Sequence, residues 1–146
     1  MTDTLRWSKS FSIGHKGLDA EHRGMIDLIN RFCLARGADL HMQHLLSGMR
    51  ELESLTEKHF KHEEAMLEEH YLAARKGSRV RESILAAKTE HAVEHQKSLS
   101  LLREMSRTLP ADAGAARSKL CGELKKWFID HAVGYDAQMK TIVQSA

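Results

Sequence analysis

The stretch LESLTEKHFKHEEAML, residues 52–67, carries apolar side chains at intervals of three and four residues. This interval fits the about 3.6 residues of one helical turn and predicts an α-helix with an apolar face. His59 and Glu63 are four positions apart within it, so their side chains would point from the same face. His91 and His95, in the later stretch HAVEH, have the same spacing. Each pair can therefore converge on a metal ion.

The same periodicity covers most of the chain, whose single proline is Pro110. It predicts an all-α protein whose first helix has Asp19 at or near its N-cap and is stopped by Gly37. Short loops between long helices further predict an antiparallel up-down-up-down four-helix bundle. The helices are expected at about 19–36, from 39 to 71 or beyond, at 79–108, and from 110–112 to at least 133.

The composition fits one compact domain. The 146 residues are 42% hydrophobic, enough to bury a core. The expected domain is 1–146, with an irregular N-terminal arm at 1–18 and the bundle at 19–146. A net charge of +2, with both signs interspersed, does not predict a basic surface for binding nucleic acid. Because no segment resembles a secretory signal or a membrane span, a soluble, cytoplasmic protein without stable membrane insertion is expected.

The two cysteines, Cys33 and Cys121, are far apart in the sequence and lie within apolar patterns. They are expected to be small core residues rather than partners in a disulfide or a thiolate metal site.

Histidine is unusually frequent, with 10 residues. In an up-down-up-down bundle, the start of helix one, the later part of helix two, the first half of helix three and the end of helix four meet at one end. A lone pair of histidines at spacing four is common on solvated helix faces, but agreement among four helices favours a metal site. The candidate ligands are His22, His59, Glu63, His91, His95, His131 and Asp136.

The last two candidates belong to HAVGYD, residues 131–136, and are five positions apart. In a regular α-helix, a residue five positions on is rotated by roughly 140° and points away. His131 and Asp136 converge only if the backbone departs from the α-helix near Gly134, either through a π-type bulge or through a helix end.

Five imidazoles and two carboxylates exceed the four ligands of a usual zinc site. They suit two metal ions bridged by carboxylates, and iron is the natural choice where imidazole and carboxylate ligands are mixed. Zinc or a structural metal in a histidine-rich bundle is the alternative.

The order of one His, then HFKHE, HAVEH and HAVGYD, resembles the hemerythrins, and the arm fits their bacterial single-domain branch. Further similarities are Trp7, the IGH stretch, LDAEH before IDLIN, EEAM and WFIDH, so the resemblance covers essentially the whole chain. It implies a non-haem centre of two iron ions with an oxo or hydroxo bridge that binds dioxygen reversibly. The protein would be an oxygen carrier, store or supplier to oxygen-using enzymes, and not itself an enzyme.

The resemblance also implies a role for each ligand. One iron would be held by three histidines and the other by two, and two carboxylates would bridge both ions. The three-histidine set is His91, His95 and His131, the two-histidine set is His22 and His59, and the bridges are Glu63 and Asp136. Four apolar side chains near the ligands in sequence would line a dry oxygen pocket: Met25, Phe60, Trp127 and Phe128. Each could equally be ordinary bundle core.

Two departures from the family pattern are local. Tyr71 is followed by Leu72 rather than by proline, and a basic insertion at 75–81 lengthens the link to HAVEH, so the segment 72–88 holds either extended helices or a remodelled loop. The insertion would be a solvated surface or a docking patch for a protein partner or an anionic membrane surface. Met139 stands where many relatives carry an aromatic residue.

The competing functions are an oxygen or redox sensor and a di-iron oxidase, peroxidase or nitric oxide scavenger.

Overall fold

A computed structural model of the protein describes residues 4–144, so the ends of the expected 1–146 domain lie outside the described residues. The predicted all-α four-helix bundle is confirmed, and no strand occurs between residues 4 and 144. A π-helix joins the last two α-helices without a break, so that together they form the fourth rod of the bundle. The elements are α1 (Lys16–Leu34), α2 (Met42–Ala73), α3 (Arg79–Arg107), α4 (Ala113–Ile129), the π-helix (Asp130–Tyr135) and α5 (Asp136–Gln144), with short 3-10 turns at Lys9–Phe11 and Gly37–Asp39.

The start of α1 corrects one expectation. Asp19 does not cap this helix; His15 is the N-cap and accepts a hydrogen bond from the backbone N–H of Leu18 at 3.2 Å. Asp19 lies in the first turn and accepts from the backbone N–H of Ile13 at 2.7 Å. The carboxylate therefore fastens the arm to the bundle instead of opening the helix.

The basic insertion at 75–81 spans most of the loop at 74–78, which joins α2 to α3, and the first residues of α3. Ser78 caps α3, which begins at Arg79 as predicted. The guanidinium of Arg81 lies 4.2 Å from the ring centroid of Tyr71 and donates to the carbonyl of Ala74 at 3.1 Å. Arg81 thus closes the hairpin. Among residues 4–144, no helix is both long and apolar enough to cross a lipid bilayer.

Two apolar clusters fill the bundle. The larger includes Phe11, Leu52 and Phe128, and the smaller includes Leu67 and Met139. Met139 is fully buried, so methionine fills the space behind the turn into α5. Along each rod, the predicted metal ligands lie between residues of one cluster and residues of the other, so a polar layer separates the two clusters.

The expectation for the cysteines is wrong. Cys33 on α1 and Cys121 on α4, which are 88 positions apart in sequence, form a disulfide with their Cα atoms 5.0 Å apart. Both are buried in the larger apolar cluster, as expected of core residues. The packing of α1 against α4 brings them together, and sequence spacing carries no information about that contact.

We predict that this disulfide contributes about 4 kcal/mol to the free energy of unfolding, because it closes a long loop in the unfolded chain. Urea unfolding with and without dithiothreitol measures this contribution. Cys33→Ser is the control and should be as unstable as the reduced protein, with no response to the reductant. Equal stability of the oxidised and reduced wild type would contradict the prediction.

Candidate metal centre

Two buried carboxylates lie at the middle of the polar layer, and histidine Nε2 atoms surround them. His95 Nε2 lies 3.1 Å from Glu63 Oε1. His22 Nε2 and His131 Nε2 each lie 2.8 Å from Asp136 Oδ2. These five side chains come from α1, α2, α3, the π-helix and α5, so the centre depends on the whole bundle.

The other two predicted ligands, His59 and His91, also direct Nε2 towards the two carboxylates. His59 Nε2 is 3.5 Å from both Glu63 Oε1 and Asp136 Oδ2. His91 Nε2 is 3.8 Å from Asp136 Oδ1. The structure therefore brings together all seven side chains, each no more than 3% exposed. Ligand atoms of five of them lie within 4.8 Å of one another: His22, His59, Glu63, His131 and Asp136.

The π-helix explains the spacing of five in HAVGYD. It begins at Asp130 and ends at Tyr135, and its wider turn returns Asp136 to the face that carries His131. The predicted π-type bulge is confirmed, and the alternative of a helix end at Gly134 is wrong. Gly134 has no positive φ, and a Cβ built there would meet no atom within 4 Å.

The outer nitrogens of three histidines are held by acceptors, which turns the Nε2 atoms inward. His22 Nδ1 donates to the carbonyl of Phe11 at 2.7 Å, and His91 Nδ1 donates to that of Ala87 at 2.9 Å. A carbonyl can only accept, so Nδ1 carries the proton in both rings. Partners of this kind fix the tautomer of a metal-binding histidine.

The third acceptor is Glu21, whose Oε1 lies 3.0 Å from Nδ1 of His59. Its other oxygen accepts from the exposed His62. Hydrogen bonds from these two rings outweigh the effect of burial and lower the pKa of Glu21. Sequence analysis missed Glu21 as a functional residue, although it lies within LDAEH directly before His22.

In the metal-free protein, the ionised form of Glu63 is disfavoured and that of Asp136 is favoured. Burial, followed by the charge of Asp136, raises the pKa of Glu63 well above its usual value. Burial also acts to raise the pKa of Asp136, but the charge of His131 and its hydrogen bond hold that pKa well below its usual value. Like charges this close cannot both remain without a cation between them.

Burial opposes protonation of both His95 and His131, but only at His131 does a neighbouring charge overcome it. It lowers the pKa of His95 to about 3, helped by the neighbouring histidines. It would also lower the pKa of His131, but Asp136 raises that value to about 10. His131 is therefore protonated at neutral pH in the metal-free protein, whereas His95 is neutral.

The donor atoms fit bound cations better than they fit one another. Burial lowers the pKa of His22, so its ring favours the neutral form, with the Nδ1 proton donated to Phe11 and a lone pair on Nε2. That lone pair faces a carboxylate oxygen of Asp136 at 2.8 Å. Several other buried atoms of the centre have no hydrogen-bond partner, among them His59 Nε2, His91 Nε2, Glu63 Oε2 and Asp136 Oδ1. Buried polar atoms are normally paired, and metal ions would satisfy these.

Aromatic rings cover the centre. Phe60 stacks on His95 with ring centroids 3.8 Å apart, and Trp127 lies nearly parallel to His131 at 6.2 Å. Phe128 meets His22 edge-on at 5.5 Å. The remaining predicted lining residue, Met25, is fully buried in the larger apolar cluster.

Comparisons with known proteins agree with this geometry. The family described as Hemerythrin HHE cation binding domain matches residues 14–143, which is most of the chain. The chain belongs to the hemerythrin family. It is 27% identical to a bacteriohemerythrin from Ralstonia nicotianae, over 94% of this chain and 87% of that protein. No solved structure matches the chain significantly.

We predict that the π-helix of this hemerythrin does not need a glycine. Gly134→Ala should raise the free energy of unfolding by about 0.5–1 kcal/mol, because alanine restricts the unfolded chain and favours helix. Metal content should stay unchanged. Gly122→Ala is the matched control, since this exposed glycine of α4 also has open space around it. Loss of metal in Gly134→Ala alone would show that the turn requires glycine.

We also predict that metal uptake releases protons at neutral pH. Metal binds the neutral form of His131, whose pKa is about 10 in the metal-free protein. Apparent affinity should therefore rise as the pH rises towards 10, and fall as acid returns the proton. Titration with Zn²⁺ in buffers of different ionisation enthalpy counts the protons. A binding heat that is independent of the buffer would contradict this expectation.

Proposed function

We propose that this protein binds dioxygen reversibly at a non-haem centre of two iron ions. The buried cluster of five imidazoles and two carboxylates is the observation that carries the proposal. A pair of ferrous ions would supply the electrons for reversible oxygen binding. Membership of the family and the similarity to a protein named bacteriohemerythrin support the same function.

In this proposal the ligands divide into two sets. Three histidines would hold one iron, two would hold the other, and the carboxylates would bridge both ions. The two-histidine iron would keep the position at which oxygen binds. The three-histidine set is His91, His95 and His131, the two-histidine set is His22 and His59, and the bridges are Glu63 and Asp136.

The chain's own residues would reduce the net charge of the centre and keep it dry. Two ionised carboxylates offset part of the charge of two divalent cations, which makes their burial less costly. Phe60, Trp127 and Phe128 cover the imidazoles and would limit contact with water, with Met25 as a further lining residue. A low-dielectric surrounding disfavours net charge changes, which supports reversible binding.

The ligand composition favours a binding protein over an enzyme. Di-iron oxidases of the ferritin type use Glu-x-x-His motifs and more carboxylates than histidines. Here five of seven proposed ligands are histidines. We therefore propose an oxygen carrier, store or supplier rather than an oxidase, peroxidase or nitric oxide scavenger.

The setting and partners of the protein stay predictions. A cytoplasmic location is one, and the disulfide between Cys33 and Cys121 bears on it because disulfides are rare in that compartment. Docking through 75–81 to a protein partner or an anionic membrane surface is the other. The neighbouring Leu72 and Val80 are 65% and 54% exposed, which supports a contact surface at the tip of the α2–α3 hairpin.

The test is to count iron per chain, reduce the protein without oxygen, and follow the visible spectrum through cycles of oxygenation. We expect two irons and an absorption band that appears and disappears reversibly. Glu63→Ala and Asp136→Ala should lower iron occupancy. His41→Ala and His44→Ala are matched controls, because these histidines pack against each other at the start of α2.

Three results would redirect the proposal. Prompt, irreversible oxidation of both irons would indicate an enzyme or a redox sensor. Negligible iron without an oxygen-dependent spectrum would indicate zinc or a structural metal. Equal iron loss in the carboxylate variants and the His41 and His44 controls would mean that the site is misplaced.

A further inference from the structure

We infer that Glu94 is a positioning residue of the metal centre, holding the proton on Nδ1 of His131 so that Nε2 is free for metal. The inference rests on the proposed metal-binding function. Glu94 is not among the seven proposed ligands, and it lies on α3 directly before His95. Its side chain is only 9% exposed, and burying a carboxylate is costly unless it is paired.

The contacts of Glu94 point to His131. One carboxylate oxygen accepts a hydrogen bond from the hydroxyl of Ser98 at 2.6 Å. The other, Oε2, lies 3.5 Å from Nδ1 of His131. Both Oε2 and Nδ1 are buried, and neither has a hydrogen-bond partner within accepted geometry. Glu94 Oε2 is therefore the available acceptor for the proton on His131 Nδ1, and the hydrogen bond from Ser98 holds the carboxylate in place.

The pattern of the other histidines supports the assignment. His22, His91 and His59 each direct Nδ1 to an acceptor and Nε2 to the centre. His131 has the same orientation, because its Nε2 lies 2.8 Å from Asp136. Trp127 lies nearly parallel to its ring, at an interplanar angle of 14°. Glu94 supplies the acceptor that completes the pattern for this ring.

His95 offers a built-in contrast. The carboxylate nearest to its Nδ1 belongs to Glu64, which is 3.9 Å away and 48% exposed. That distance is too long for a hydrogen bond, and an exposed carboxylate is screened by water. Glu64→Gln therefore removes the same charge next to a proposed ligand without removing a buried acceptor.

The experiment compares Glu94→Gln, Ser98→Ala and Glu64→Gln with the wild type, using Zn²⁺ and Co²⁺ in competition with a chelator. Loss of a carboxylate behind a metal-binding histidine typically weakens metal affinity about 10- to 100-fold. We expect that loss for Glu94→Gln, a smaller loss for Ser98→Ala, and essentially none for Glu64→Gln. Thermal unfolding of the metal-free variants controls for damage to the fold.

A second measurement reports on the proton itself. In the zinc-loaded protein, proton–nitrogen NMR should show a slowly exchanging proton on Nδ1 of His131, and Glu94→Gln should speed its exchange. Ordinary packing would not produce that change. Equal affinities for Glu94→Gln and Glu64→Gln, or an Nδ1 proton unaffected by Glu94→Gln, would overturn the inference. Neither readout needs iron or oxygen, so failure of the oxygen-binding proposal is distinguishable from failure of this one.

Discussion

Two carboxylates, Glu63 and Asp136, are buried side by side between two apolar clusters, and the bundle must compensate for them. Burial and mutual repulsion raise the pKa of one, whereas protonated His131 keeps the other ionised. This arrangement is incomplete, since it leaves several buried nitrogen and oxygen atoms without a hydrogen-bond partner. Two divalent cations would remove the conflict by letting both carboxylates ionise and the imidazoles offer lone pairs. The stability of the polar layer therefore depends on the same charge balance that would favour metal binding.

Much of this arrangement follows from regular helix geometry. Spacing four fixes the relative direction of His59 and Glu63 wherever the helix is continuous, and α2 is continuous over 32 residues. Spacing five carries less information, because a π-turn and a helix end would both redirect Asp136. The choice between them depends on packing, since α5 continues as a helix and buries Met139. Gly134 identified the place of the irregularity but is not its steric cause.

The features that sequence analysis missed are contacts between distant segments. The disulfide joins cysteines 88 positions apart, and only the meeting of α1 and α4 decides that they pair. Asp19 suits a helix cap by residue type, yet the backbone of Ile13 provides a competing partner in the arm. From sequence, Glu21 resembles an exposed charge on an amphipathic helix. Only the packing of α2 against α1 places His59 next to it. Residue preference and spacing do not contain such pairings.

The N-terminal arm is part of the centre rather than an appendage. Its Phe11 carbonyl fixes the tautomer of His22, and its Phe11 ring packs edge-on against Phe128 at 5.1 Å. Phe128 in turn covers the His22 ring. Asp19 accepts a hydrogen bond from the backbone N–H of Ile13, two residues after Phe11. This bond fastens the arm and holds the Phe11 carbonyl close to His22. Detaching the arm would expose the imidazole of His22 and remove the acceptor that fixes its tautomer. This coupling gives the irregular segment a definite physical role.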